Sequence, residues 1–447
     1  MSKKIEKVAV LGAGVMGAQL SGHLANAGIE SYLFDMNLEL AEQGKESLTS
    51  LKPAPLYKPK NGDLVTPCTY ENDIEKIADA DWVLEAVAER LDIKESVFQD
   101  LLPHLKDTAI LTSNTSGIPL ARLAENLPEG VKERFMITHF FNPPRYMQLL
   151  ELVRGEHTSD DTYSTMIEFG EAVLGKGIVH AKDTPNFIGN RIGIYGLMAT
   201  VNLSIEKGLT VEQVDTLTGT ISGRPKSATF RTADVVGLDT LKNVALTTYN
   251  LAKGDEERDM FQIPEILETL IKSNRLGQKT KAGFYRKNED RSIDSVDLKT
   301  GEYSSQKKVR FDCFRVAKDH QKLVEKLKAL VYGDDNGSMY LWEVTAKTLI
   351  YSANRIPEIS NDIVNVDNAM KWGFAWELGP FEGWDAIGVR RSVDRMTSEG
   401  KKVPAWVTEM LETGRETFYR IENGERTYWN PIDNGPVVMK QHPKSLN

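Results

Sequence analysis

At 447 residues and 40% hydrophobic content the chain can bury two or three cores, so more than one domain is expected. A net charge of -9 argues against a nucleic-acid footprint, which needs clustered Lys and Arg, although a few local lysines suffice for a phosphorylated small ligand. Two distant cysteines, Cys68 and Cys313, give neither a disulfide framework nor metal-ligand spacing, no run reaches the roughly 20 apolar residues of a membrane span, and the basic N-terminus enters a strand at once, so a metal-free, non-inserted cytoplasmic protein is expected.

The first element is a short apolar strand in KVAVLGAGVMG, which turns through Gly12, Gly14 and Gly17 into a helix that Gly28 stops. GxGxxG between a strand and a helix lets backbone approach a pyrophosphate, whose charge the helix N-terminus stabilises. Val15 and Met16 complete the turn. The next strand, ESYLFD, ends at Asp35, where a carboxylate accepts a ribose 2′-hydroxyl and repels a 2′-phosphate, so NAD is expected rather than NADP. The competing reading of Asp35 is a cap for the following helix.

Two later strands run out into polar residues. DWVLEAVAERLDIK is read as a strand through Val87 with Glu89 and Lys94 beyond it, and AILTSNTSG ends at Asn114-Thr115-Ser116. Strand ends of one sheet converge on a cofactor crevice. The run Phe135-Met136-Ile137 reads as a buried strand ending at His139, because sheets covered on both faces give continuous apolar runs. Glu151 then stands among Leu149, Leu150, Leu152 and Val153. Burying that carboxylate costs several kcal/mol unless a donor meets it, and an imidazole on a neighbouring strand is such a donor. A His–carboxylate pair is also how a general base is oriented.

DDTYSTMIEFGEAVLGKG reads as one helix stopped at Gly175, and GIVHAK as the last strand of the first domain. Thr184-Pro185 opens a long helix to Lys207 that is apolar nearly all round, which makes Asn190 a buried amide. Beyond it Phe230, Asp234 and Gly237 recur as Phe381, Asp385 and Gly388, each 151 residues on, and Val214-Asp215 recurs as Val366-Asp367. This predicts a duplicated helical domain with a polar connector between the copies. In the second copy Leu341 or Trp342 takes the place of Asn190. Its Trp372, Phe374, Trp376, Phe381 and Trp384 are expected to pack on the first copy, so a monomer is expected.

GAGVMG, SNTSG, THFFNPP, LLELV, KDTPNFIGNR and GQKTKAGFY stand in an order that resembles the L-3-hydroxyacyl-CoA dehydrogenases of fatty-acid β-oxidation, over about the first 290 residues. The resemblance implies NAD-dependent oxidation of a (3S)-3-hydroxyacyl-CoA to the 3-oxoacyl-CoA. His139 would be the base and Glu151 its orienting partner, with Ser116 and Asn190 polarising the substrate. Asn142, Glu89, Lys94 and Lys279 match positions around the nicotinamide and ribose. The family's lysine-rich segment for the coenzyme A phosphates is not recognisable, and LKPAPLYKPKNGD offers Lys52, Lys58 and Lys60 in its place. Long relatives of this type carry an enoyl-CoA hydratase unit, which is a possible partner activity and is not seen in this chain.

The expected architecture is thus an α/β Rossmann-like domain over 1–183 and an all-α domain in two copies, 184–290 and 331–430. A connector would span 291–330 and a tail 431–447. Two rival functions are a β-hydroxyacid dehydrogenase, which relies on a catalytic lysine, and a crystallin-like or NAD-binding protein without activity.

Overall fold

A computed structural model describes residues 4–439, which separate into two compact units at Phe187 and Ile188. Among the described residues no helix is long and apolar enough to cross a membrane.

The first unit is a doubly wound sheet of eight strands. They are β1 Lys7–Leu11, β2 Glu30–Asp35, β3 Val65–Thr69, β4 Trp82–Glu85, β5 Ile110–Ser113, β6 Phe135–Phe140, β7 Leu149–Arg154 and β8 Gly177–Ala181, in the order β3-β2-β1-β4-β5-β6-β7-β8. All neighbours are parallel except β6 and β7. The carboxyl ends of β1, β2, β4, β5 and β6 therefore share one edge. The strands β4, β5 and β6 are buried throughout, which is why their sequences are continuous rather than alternating. Within them Trp82 donates to the Thr112 hydroxyl at 2.9 Å, so the buried indole N–H is satisfied.

Several sequence expectations are corrected here. β4 ends at Glu85 rather than Val87, and β6 runs one residue past His139. The helix of 160–175 stops at Glu168 and widens into a π-turn over Phe169–Val173. The helix expected from Thr184 begins at Gly189, because Asn186 and Phe187 adopt left-handed φ of 64° and 50° and cannot propagate it.

The second unit is not all-α. Its helices are accompanied by two three-stranded antiparallel sheets: β9 Tyr285–Lys287 with β10 Ile293–Val296 and β11 Tyr303–Ser305, and β12 Tyr419–Glu422 with β13 Glu425–Asn430 and β14 Gly435–Val438. The expected connector is thereby corrected as well. It holds β10, β11 and the helices Asp312–Asp319 and Leu323–Val331; β11 is largely exposed, whereas β10 is the central strand and buries Asp294 and Ser295, which meet Arg286 and Glu212. The expected tail contains β14, and residues 440–447 lie outside the described ones.

The unit has two halves with the same order of α-helices and strands, a helix of 19 residues, four shorter α-helices, then a three-stranded sheet, with short 3-10 turns interposed in the first half alone. In the first half Asp215 accepts from the Phe230 and Arg231 amides and the Tyr285 hydroxyl, and Asp234 accepts from the Phe284 and Tyr285 amides. In the second, Asp367 accepts from the Phe381 and Glu382 amides and the Tyr419 hydroxyl, and Asp385 from the Phe418 and Tyr419 amides. Gly237 and Gly388 follow with φ of 95° and 94°, a region that favours glycine. Of the aromatic residues expected to face the first half, Phe374 abuts Gly193 and Trp376 takes the Arg224 guanidinium on its ring. Phe381 and Trp384 instead pack on Phe418 inside the second half, a correction that follows from the carboxylate clamps drawing them inward.

Candidate active site

The glycine turn comes first because β1 delivers it to the shared edge. Gly12 has φ +98°, and a Cβ there would meet the Ala86 carbonyl oxygen at 2.7 Å. A Cβ on Gly17 would sit 1.8 Å from the Gly12 oxygen. Gly14, by contrast, has open space where its Cβ would be, directly before α1, Val15–Asn26, whose N-terminus has no side-chain cap. Val15 is exposed and Met16 half-buried beside it. Open room over uncapped N–H groups is the surface a pyrophosphate requires. Asp35 is anchored at this turn, accepting from Ala13 N at 2.7 Å and Met36 N at 2.7 Å. It does not cap α2, Leu38–Ser50, since Asn37 does so through Leu40 N. These residues fit a dinucleotide with free ribose hydroxyls.

At the ends of β4 and β5 a carboxylate network surrounds one lysine. Lys94, 1% exposed on the helix Leu91–Leu101, lies 2.7 Å from Glu85 and 3.2 Å from Glu89. Glu85 also accepts from the Val87 amide and the Ser113 hydroxyl. Burial pushes the Glu85 carboxyl up, against the pull of Lys94. For Glu89 burial acts in the same upward sense but is outweighed by Lys94, the Thr115 hydroxyl and the Ser116 amide, which together hold it below the usual range. Glu89 Oε1 accepts from Thr115 Oγ1 at 2.6 Å, Ser116 N at 2.9 Å, Ser116 Oγ at 3.2 Å and Gly117 N at 3.1 Å. The Asn-Thr-Ser turn is thus wrapped on Glu89. Glu85 was missed in the sequence, although its signal is the one that singled out Glu151: a carboxylate closing an apolar run.

His139 and Glu151 are brought together by the one antiparallel pairing of the sheet, in which they are register partners. His139 Nδ1 is 2.6 Å from Glu151 Oε2, with His139 5% exposed and Glu151 fully buried. The rings of Phe141 and Phe187 stand 4.8 and 5.5 Å from the imidazole and wall it from water. The neighbouring Asn114 side chain accepts from Phe140 N, tying the end of β5 to β6. Asn142 is exposed and accepts from Gln19 of α1 at 2.9 Å.

Lys52, Lys58 and Lys60 are exposed on one loop of the first unit. That loop is held by Arg145, which donates to the carbonyls of Ala54 and Leu56, and by the Tyr146 hydroxyl on Ala54. Two further residues belong to the second unit. Asn190 is half-buried in the first turn of the helix Gly189–Lys207, not the fully buried amide expected, because the helix starts only one residue before it. Lys279 pairs with Asp239 at 2.6 Å on the surface of that unit.

Residues 7–184 match the 3-hydroxyacyl-CoA dehydrogenase NAD-binding domain, and residues 187–287 match the C-terminal domain of the same family. A Bacillus subtilis protein named probable 3-hydroxyacyl-CoA dehydrogenase is 44% identical over the whole chain, which spans 59% of that relative's length. A Deinococcus radiodurans protein of the same name is 41% identical over 64% of this chain and 84% of its own. The crystal structure of 3-hydroxybutyryl-CoA dehydrogenase from Escherichia coli shares the fold, with a TM-score of 0.69 at 20% identity over 93% of this chain and all of that one. With the glycine turn, Asp35 and the His139–Glu151 pair in place, these matches show that the chain belongs to the 3-hydroxyacyl-CoA dehydrogenase family.

Proposed function

We propose that the chain oxidises (3S)-3-hydroxyacyl-CoA to 3-oxoacyl-CoA in fatty-acid β-oxidation, with His139 as general base oriented by Glu151. The observation that carries this reading is the 2.6 Å contact between two buried groups on adjacent strands. With Nδ1 committed to Glu151, Nε2 is the nitrogen that takes the hydroxyl proton, and the carboxylate stabilises the imidazolium so formed. NAD bound at the glycine turn and Asp35 supplies the hydride acceptor. Ser116 and Asn190 orient the hydroxyl and carbonyl oxygens, while Glu89, Lys94, Asn142 and Lys279 serve the nicotinamide end. One or more of Lys52, Lys58 and Lys60 meets the coenzyme A phosphates. The test is consumption of NADH with acetoacetyl-CoA. His139→Ala should lower kcat by about 100- to 10,000-fold with NAD affinity unchanged. Activity within about threefold of the parent would overturn the role of His139, and a parent protein that consumes no NADH would favour a cofactor-binding protein without activity.

We also infer that residues 188–305 and 336–438 are two copies of one fold, supported by the matched Asp215/Asp367 and Asp234/Asp385 clamps. The second copy covers the first intramolecularly, so sedimentation of the full chain should give a monomer. An obligate dimer would overturn that assembly.

A further inference from the structure

Inside the second unit a cavity of about 130 Å³ opens between the helices Gly189–Lys207 and Asn336–Asn354. Its walls are mainly apolar, with Leu197, Val344, Leu349 and Phe374 among them, and threonine and serine side chains complete the lining. Protein interiors are close-packed, and an apolar cavity of about 150 Å³ is known to take a six-carbon ring, so this one has room for a chain of about six carbons.

Among the residues lining it Arg224 is the only charged one. Its guanidinium lies over the Trp376 ring, 3.1 Å from the centroid, and no carboxylate of the described residues pairs with it. Arg224 is half-buried, and desolvation, the sole cause acting on it, pushes its guanidinium down to about 9. Thr200, Ser222, Thr232 and Thr348 donate to carbonyls of their own helices or turns. An apolar cavity with a single fork of uncommitted N–H donors at one side selects a group that only accepts, and a planar carboxylate matches the guanidinium in a two-point contact.

We propose that this seam binds an aliphatic carboxylate of about six carbons, its chain between the two long helices and its carboxylate on Arg224. The carboxylate has two sources, a free fatty acid or the distal end of an ω-carboxyacyl-CoA.

The test uses the full chain and hexanoate, followed by Trp fluorescence and ligand-observed NMR, with hexanol and acetate as controls. Hexanoate should bind more tightly than either control. Arg224→Gln should weaken it about tenfold or more, and Arg224→Lys should recover part of the loss. Equal binding of hexanoate and hexanol, or hexanoate binding unchanged in Arg224→Gln with the fold intact by circular dichroism, would overturn the proposal. The sources are separated by (3S)-3-hydroxyadipyl-CoA against (3S)-3-hydroxyhexanoyl-CoA. A KM for 3-hydroxyadipyl-CoA alone that rises in Arg224→Gln assigns the carboxylate to the substrate's distal end. Hexanoate binding that depends on Arg224, with both KM values unmoved, assigns it to a free acid. This second arm rests on the proposed dehydrogenase activity, whereas the hexanoate titration does not.

Discussion

Asp234 in the first half of the second unit and Asp385 in the second hold the same place. Each accepts the two amides that open a three-stranded sheet, at 2.7 to 2.9 Å, and each is followed by a glycine at φ near 95°. The halves part company on their long helices. The first carries the Asn190 amide in its opening turn, while the positions that answer to it by sequence offset are Leu341, which lines the cavity, and Trp342, whose indole is bonded to Glu399. The scaffold needs the clamps in both halves, because an unmet buried amide is costly wherever it lies. On the proposed function, chemistry needs its amide once. The two halves therefore share what closes backbone hydrogen bonds and differ at the position proposed to face substrate.

The comparison is most severely tested at the clamps. Asp234→Ala and Asp385→Ala each orphan two buried amides, and each should cost about 2–5 kcal/mol in denaturant unfolding. A loss below about 1 kcal/mol at either position would break the equivalence of the halves.

Function should separate where structure does not. Asn190→Ala should lower kcat about 100-fold or more if the amide polarises substrate, whereas Leu341→Ala should leave kcat within about twofold. Equal losses of kcat in both variants would mean that the effect is transmitted through folding.

A third test uses pH. Burial raises Asp234 and Asp385 to about 7 despite their amide donors, while an unfolded Asp titrates near 4. Between those values the folded unit binds the extra protons, so this contribution to stability grows as pH falls from about 7 toward 4 and is lost as pH rises. The slope is at most about 1.4 kcal/mol per pH unit per group. Asp385→Asn should remove its share of the slope between pH 5 and about 7. Chemical denaturation across that range decides, and an unchanged slope would deny the buried proton.

The smallest effect belongs to the tyrosines. Tyr285→Phe and Tyr419→Phe each remove one hydroxyl donor, to Asp215 and Asp367 respectively, and should cost about 1 kcal/mol apiece. Unequal costs would show how far the two halves differ in the packing around that contact.

Local pattern makes much of this molecule legible in its sequence. The glycine turn, the acid at the end of β2 and the spaced Asp and Gly of the repeat are constraints satisfied within a few residues or by the backbone itself, so they leave direct marks in the order of residues. Glu151 was legible as an anomaly, a charge in an apolar strand whose burial demands a partner.

What local pattern did not determine was which distant group answers each demand. Only the reversed pairing of β6 and β7 sets His139 opposite Glu151, and only the parallel neighbours β4 and β5 bring Glu85, Lys94 and Ser113 together. The polar run after Arg286 has the composition of a linker, yet it forms β10 and β11, because the buried Asp294 and Ser295 of the central strand β10 are met by Arg286 and Glu212, partners that composition does not reveal. The cavity at Arg224 is likewise a product of two helices meeting, one from each half. Composition and periodicity set which faces must be covered; the partner across each face is chosen by tertiary contact, since long-range polar pairs impose no period on the sequence that carries them.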